Sequence, residues 1–184
     1  GKGARIHLNA FPSISADVTL SDGDTYKIEV EGTDFAGNTD SDTVNNIVFD
    51  TTAPSLDLVK ISSSNTNTTL AKEGNVITLE ITASEPITTP TVSFEIGGTN
   101  VTPIIITGSG TEGTSTTSYS QYNARYTVPT GSTANGEVTF TISSYSDDAG
   151  NAGVSVTTTT YSNTVTVDTT APTFSSITAI ETIT

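Results

Sequence analysis

Carboxylates are the residues of this 184-residue chain with the number and spacing to do chemistry. Twenty Asp and Glu stand against six Lys and Arg, with one His and no Cys, Met or Trp. Five of the acids, Asp34, Asp50, Asp147, Asp148 and Asp168, fall in short motifs that occur twice, and Glu85 sits between the copies in Ala83-Ser84-Glu85-Pro86-Ile87. Oxygen donors in such numbers suit a hard divalent cation, which takes six to eight carboxylate, carbonyl or water ligands. Two carboxylates are also enough for glycoside hydrolysis, so acidity alone does not exclude it. Other chemistries are closed. Without cysteine there is no disulfide, thiolate zinc site, iron–sulfur cluster or Cys nucleophile. A single histidine rules out multi-His metal sites. No Gly-x-Ser-x-Gly elbow is present, and His7, in the strand-like Arg5-Ile6-His7-Leu8, has no His or Cys near it in sequence and reads as a packing or surface residue. The expectation is a protein that is not an enzyme.

Charge narrows the partners. A net charge of −14 and a pI near 4.1 oppose nucleic-acid binding, which needs clustered Lys and Arg. The longest aliphatic run, Ile104-Ile105-Ile106, is far short of the roughly 20 residues that span a bilayer. No basic stretch followed by an apolar one opens the sequence.

The elements that must position these acids are strands. Ser and Thr make up about a third of the chain, and Thr, β-branched, suits a half-exposed pleated surface. Apolar residues alternate with polar ones at Ile77, Leu79, Ile81 and Ala83; at Val92, Phe94 and Ile96; at Tyr122, Ala124, Tyr126 and Val128; at Val138, Phe140 and Ile142; and at Val165 and Val167. A period of two puts one face of each run on a core and the other in water. Turn signals lie between them at 73–75, 97–100, 131–136 and 149–151. No window carries a helical period. About seven short strands in one such stretch predict an all-β, two-sheet sandwich.

A repeat sets the boundaries. Asp50-Thr51-Thr52-Ala53-Pro54 recurs as Asp168-Thr169-Thr170-Ala171-Pro172, each after a similar strand; upstream of each, Asp34-Phe35-Ala36-Gly37-Asn38 recurs as Asp147-Asp148-Ala149-Gly150-Asn151. Two motifs recurring in order mark a tandem array. The expected division is 1–50 as the C-terminal part of one domain, 51–168 as a complete domain, and 169–184 as the first strand of the next or a strand exchanged between copies. In 169–184, Phe174, Ile177 and Ala179 echo Leu56, Val59 and Ile61. A half sandwich exposes its core, so the expectation is that 1–50 belongs to a longer polypeptide or is completed by another chain.

Linker, strand, Leu70-Ala71-Lys72-Glu73-Gly74-Asn75, the strand at 77–81, Ala83-Ser84-Glu85-Pro86-Ile87, Asp-Asp-Ala-Gly-Asn and a last strand together resemble bacterial immunoglobulin-like repeats. The resemblance covers 20–54 and nearly all of 51–172. It implies tandem immunoglobulin-like sandwiches in a large extracellular protein of the adhesin, biofilm, S-layer or filament kind. One departure concerns the tyrosine corner of such sandwiches: Tyr26 occupies its place, whereas the second copy has Val138-Thr139-Phe140 there.

In an immunoglobulin-like sandwich the B–C and F–G loops lie at the pole where the chain comes in. That places Glu85 in a B–C loop and Asp147 and Asp148 in an F–G loop, beside Asp50 of the linker. Like charges so gathered require screening by water or a cation. The arrangement is similar to the interdomain calcium sites of cadherins, with Thr51-Thr52 replacing their acidic and amide linker residues. The expectation is one Ca2+ per junction on Asp50, Glu85 and Asp147, with Asp148 auxiliary, Asp168 serving the next junction and Asp34 the preceding one. A second reading stands beside it: Asp34 and Asp147 cap Asx-turns with Gly37 and Gly150 at positive φ, while Asp50 and Asp168 only end strands.

The functional expectation is therefore a stalk, filament or S-layer segment at the cell surface, calcium-stiffened, whose partners are neighbouring domains or copies of itself. A rival is a module binding a glycan or cell-surface receptor through exposed tyrosines, with Tyr119, Tyr145 and Tyr161 as candidates and Tyr122 and Tyr126 fitting the buried face. Asn67 and Asn100 match the Asn-x-Ser/Thr glycosylation pattern. Residues 108–118 read as a low-complexity surface loop, and 157–160 as an exposed extended segment.

Overall fold

The computed structural model describes residues 4–7, 19–108 and 118–176, the first stretch as backbone only. Its regular structure is all strand. In chain order these are β1 (Ala4–His7), β2 (Thr25–Thr33), β3 (Thr39–Val48), β4 (Leu56–Ser63), β5 (Leu70–Ala71), β6 (Val76–Ile87), β7 (Thr91–Ile96), β8 (Thr99–Val101), β9 (Ile104–Thr107), β10 (Tyr119–Thr127), β11 (Gly136–Ser143) and β12 (Thr166–Val167). No helix among the described residues is long and apolar enough to cross a membrane.

From Leu56 onward the strands form two sheets, one ordered β4-β6-β10-β9 and the other β5-β12-β11-β7-β8. Alternation decides which residues meet between them. In β6 every second side chain from Ile77 to Ala83 is buried, and in β7 Val92, Phe94 and Ile96 are buried while their neighbours are exposed. One cluster joins Val59, Ile61, Leu79, Tyr122 and Ala124 of the first sheet to Phe94, Val138, Phe140, Ile142 and Val167 of the second. The core thus lies between two packed layers, as in a sandwich.

From Leu56 onward the described residues form nine strands against the seven or so read from the sequence, and the short β5 and β8 are among those that alternation does not mark. β5 has two residues and no room for an alternation signal, whereas β12, equally short, falls within the alternation at Val165 and Val167. β8 is formed by a tight hairpin at Gly97-Gly98, both at positive φ, the geometry that two-residue hairpin turns demand. Residues 157–160 are not a strand, yet they cover the β4 edge: the Thr160 N–H donates to the Val59 carbonyl, and Val59 N–H to Thr160 Oγ1.

The first 50 residues contribute a separate sheet ordered β1-β2-β3, with β1 parallel to β2. Tyr26 is buried and its Oη accepts the Ser21 N–H at 2.6 Å. Ile28, Val30 and Val44, on the same face, are 40%, 36% and 54% exposed, so no second layer covers them among the described residues. At the other end Phe174 is 87% exposed and no strand forms across 169–176. Ile177, Ala179 and the rest of 177–184, the second half of the segment read as a first or exchanged strand, lie outside the described residues, as do Leu8 and 109–117.

Candidate metal centre

Three of the six acids singled out by sequence meet. One carboxylate oxygen from each of Asp50, Glu85 and Asp147 lies within 4.8 Å of the others, with Asp50 and Glu85 half-buried and Asp147 buried. Among the described residues no other trio of acids or histidines comes so close.

Local hydrogen bonds assemble the trio. The linker leaves Asp50 and turns at once, because the Thr52 N–H donates to Asp50 Oδ1 at 3.0 Å. Ser55 and Ser84 then pair reciprocally, Ser84 N–H to Ser55 O and Ser55 N–H to Ser84 Oγ. This sets Glu85 beside the linker. On the far side of Glu85, the Thr88 N–H donates to Ser146 O and the Ser146 N–H to Thr88 Oγ1, which draws in Asp147. Asn151 closes the ring: its Nδ2 donates to Asp147 Oδ2 at 2.8 Å and to the Asp50 carbonyl at 3.1 Å.

The structure corrects one placement. Glu85 was expected in a loop after a strand ending near residue 83, but β6 continues to Ile87 through a bulge, Thr82 facing Gln121 and Ile87 facing Tyr119. Pro86, which has no N–H to give, is tolerated where the ladder is interrupted. Glu85 lies within this bulge, its carboxylate in reach of Asp50 in the linker, and bulges of this kind often stand near functional clusters.

The remaining acids lie outside the trio, although Asp148 is near enough for its charge to act on Glu85. Asp148 is exposed and accepts the Ser118 hydroxyl at 2.5 Å. Asp168 is exposed and accepts the Thr170 N–H. Asp34 is exposed and accepts the N–H groups of Ala36 and Asn38 and the Asn38 amide. The Asp34 and Asp147 turns match bond for bond in their Asn contacts, and Gly37 and Gly150 both have positive φ. The Asx-turn reading and the clustered-acid reading therefore both apply to Asp147.

Electrostatics separates Glu85 from Asp147. Burial, followed by the charges of Asp50, Asp147 and Asp148, pushes the Glu85 carboxyl above its ordinary value of 4.5. Burial pushes Asp147 the same way, but the Asn151 side chain and the N–H groups of its loop outweigh it and hold the group below 3.8. An ionised Asp147 beside a carboxyl that resists ionisation is a site whose charge is under-compensated. A cation would relieve that.

The tyrosines expected to face a ligand do not gather. Tyr145 is buried, its Oη donating to the Val154 carbonyl, and Tyr122 is buried, donating to Ile87 O. Tyr119 is half-buried edge-on against Tyr122. Of the tyrosines only Tyr161, 72% exposed, is open.

Sequence reading missed Asp22, Asn135 and Asn151. Asp22-Gly23 and Asn135-Gly136 have the same spacing as Asp34 and Asp147, and that shared spacing was the available signal. Comparison with protein-family models, curated proteins and solved structures finds no match for this chain.

Proposed function

We propose that this chain is a non-enzymatic structural segment of a tandem series of immunoglobulin-like sandwiches in a large extracellular surface protein, with Ca2+ bound at the junction by Asp50, Glu85 and Asp147. The observation that carries the reading is that the trio draws on three parts of the chain, the linker, the end of β6 and the loop after β11. A cation there ties the linker to the unit that follows it, which limits bending. Strand order supports the sandwich type: β4-β6-β10-β9 corresponds to the A-B-E-D sheet of an immunoglobulin domain, and β12-β11-β7 to G-F-C. The paired recurrence of the Asp34 and Asp147 turns and of both Asp-Thr-Thr-Ala-Pro linkers supports the array, where each block is stabilised by itself and its neighbours. High negative charge keeps such a polymer hydrated.

Titration calorimetry of the whole chain tests the metal. Saturable calcium heat in the range of extracellular modules, about 10⁻⁴–10⁻³ M, weakened by Glu85→Gln and Asp50→Asn, is expected. No heat at millimolar calcium removes the ion from the reading.

A further inference from the structure

The linker after Asp50 is gripped by side chains from both of the segments it joins. From the preceding segment, Asp22 Oδ1 accepts both the N–H and the hydroxyl of Thr51, and its Oδ2 accepts the Thr52 hydroxyl. From the following one, Asn151 Nδ2 holds the Asp50 carbonyl. The grip on the first threonine recurs after the second copy of the motif. Asn135 Oδ1 accepts the N–H and the hydroxyl of Thr169 at 2.7 and 3.1 Å.

Backbone geometry explains why the two grips coincide. Asp22 and Asn135 each precede a glycine at positive φ, Gly23 and Gly136, at the mouth of β2 and β11. Gly23 N–H donates to Phe49 O, and Gly136 pairs with Val167. Phe49 and Val167 are the residues just before Asp50 and Asp168. The turn is therefore docked on the last residue before the linker, and the side chain ahead of the glycine lies over the first threonine after the aspartate. Threonine suits this position because one residue offers an N–H and an O–H to a single acceptor. An acceptor oxygen is the common requirement, which carboxylate and amide both meet; the Asn135 amide nitrogen turns away to Thr133 O.

We propose that Asp22 and Asn135 are linker-positioning residues: with the threonines of Asp-Thr-Thr-Ala-Pro they form a side-chain clasp that fixes the direction of the chain as it leaves each unit, independently of metal. The proposal rests on the tandem reading above, and it gives the first threonine of each linker, and Thr52 as well in the first, a task that the calcium site does not.

Amide hydrogen exchange of the whole chain in chelator, read by NMR at Thr51 and Thr169, is the test. Both amides are expected to be protected. Asp22→Ala should raise Thr51 exchange by about tenfold and leave Thr169 unchanged, Asn135→Ala should do the reverse, and Asp22→Asn should stay close to the parent. Amides of β6 and β11 monitor folding in every variant. The clasp is overturned if Thr51 exchanges at the free-peptide rate while those strands stay protected. It is equally overturned if Asp22→Asn loosens Thr51 as much as Asp22→Ala. A missing calcium response with Thr51 still protected would count against the metal reading alone and leave the clasp standing.

Discussion

The side-chain amide of Asn151 reaches across 101 residues of sequence to the carbonyl of Asp50, at 3.1 Å, while also holding Asp147 at 2.8 Å. A single amide thus couples the position of the linker to the loop that carries the buried Asp147. Asn151→Ala removes two side-chain bonds, each with a net worth of about 0.5–1.5 kcal/mol. The expected loss is about 1–3 kcal/mol by urea denaturation, with weaker calcium binding because Asp50 and Asp147 are no longer tied. A variant with unchanged stability and calcium heat would deny the coupling.

The trio should give stability an unusual pH dependence in chelator. Glu85 has a folded value raised above 4.5, so its contribution is complete below about pH 4.5 and is lost as pH rises through the raised value. Asp147, Asp34 and Asp22 have folded values below 3.8, so theirs is present above 3.8 and is lost as pH falls through the lowered values. Glu85→Gln should therefore raise the melting midpoint in chelator at neutral pH and flatten the decline above pH 4.5. In calcium the same variant should melt below the parent. The check is a pair of midpoint-versus-pH series, with and without calcium.

Tyr145 owes its place to a missing side chain. A Cβ at Gly153 would overlap the Tyr145 ring, which is buried and bonded to Val154 O. Gly153→Ala should cost about 1–3 kcal/mol, the range for overpacking, measurable by urea denaturation. Phe94→Ala, emptying the centre of β7, should cost more, about 3–5 kcal/mol.

Gly97 couples the β7–β8 hairpin to the clasp. It has positive φ, and a Cβ there would overlap the Asn135 carbonyl. Gly97→Ala should therefore destabilise the hairpin and also speed exchange of the Thr169 amide, since Asn135 must shift. An effect on β8 amides with Thr169 unmoved would show the two to be independent.

Much of this was legible in the sequence because burial here follows a period of two. Ile77, Leu79, Ile81, Val92, Phe94, Val138, Phe140 and Ile142 were assigned to the core by alternation alone and are buried. The acid trio was legible once a strand order was assumed, since order fixes which loops share a pole. What escaped lacks periodicity. β5 is too short to alternate. The bulge that carries Glu85 within β6 follows from register with β10, which one strand's sequence does not encode. Tyr145 breaks the alternation of β11, after Ser144 at positive φ, and so reads as exposed although it is buried. Asp22 and Asn135 look like ordinary turn residues. Only their equal spacing from the Asp34 and Asp147 turns sets them apart.

Thermal unfolding of the whole chain in millimolar calcium, in chelator and in magnesium tests the central claim most directly. The expected result is a midpoint raised by calcium but not by magnesium, with the rise reduced by Glu85→Gln. Equal midpoints in all three conditions would contradict a calcium-bound junction.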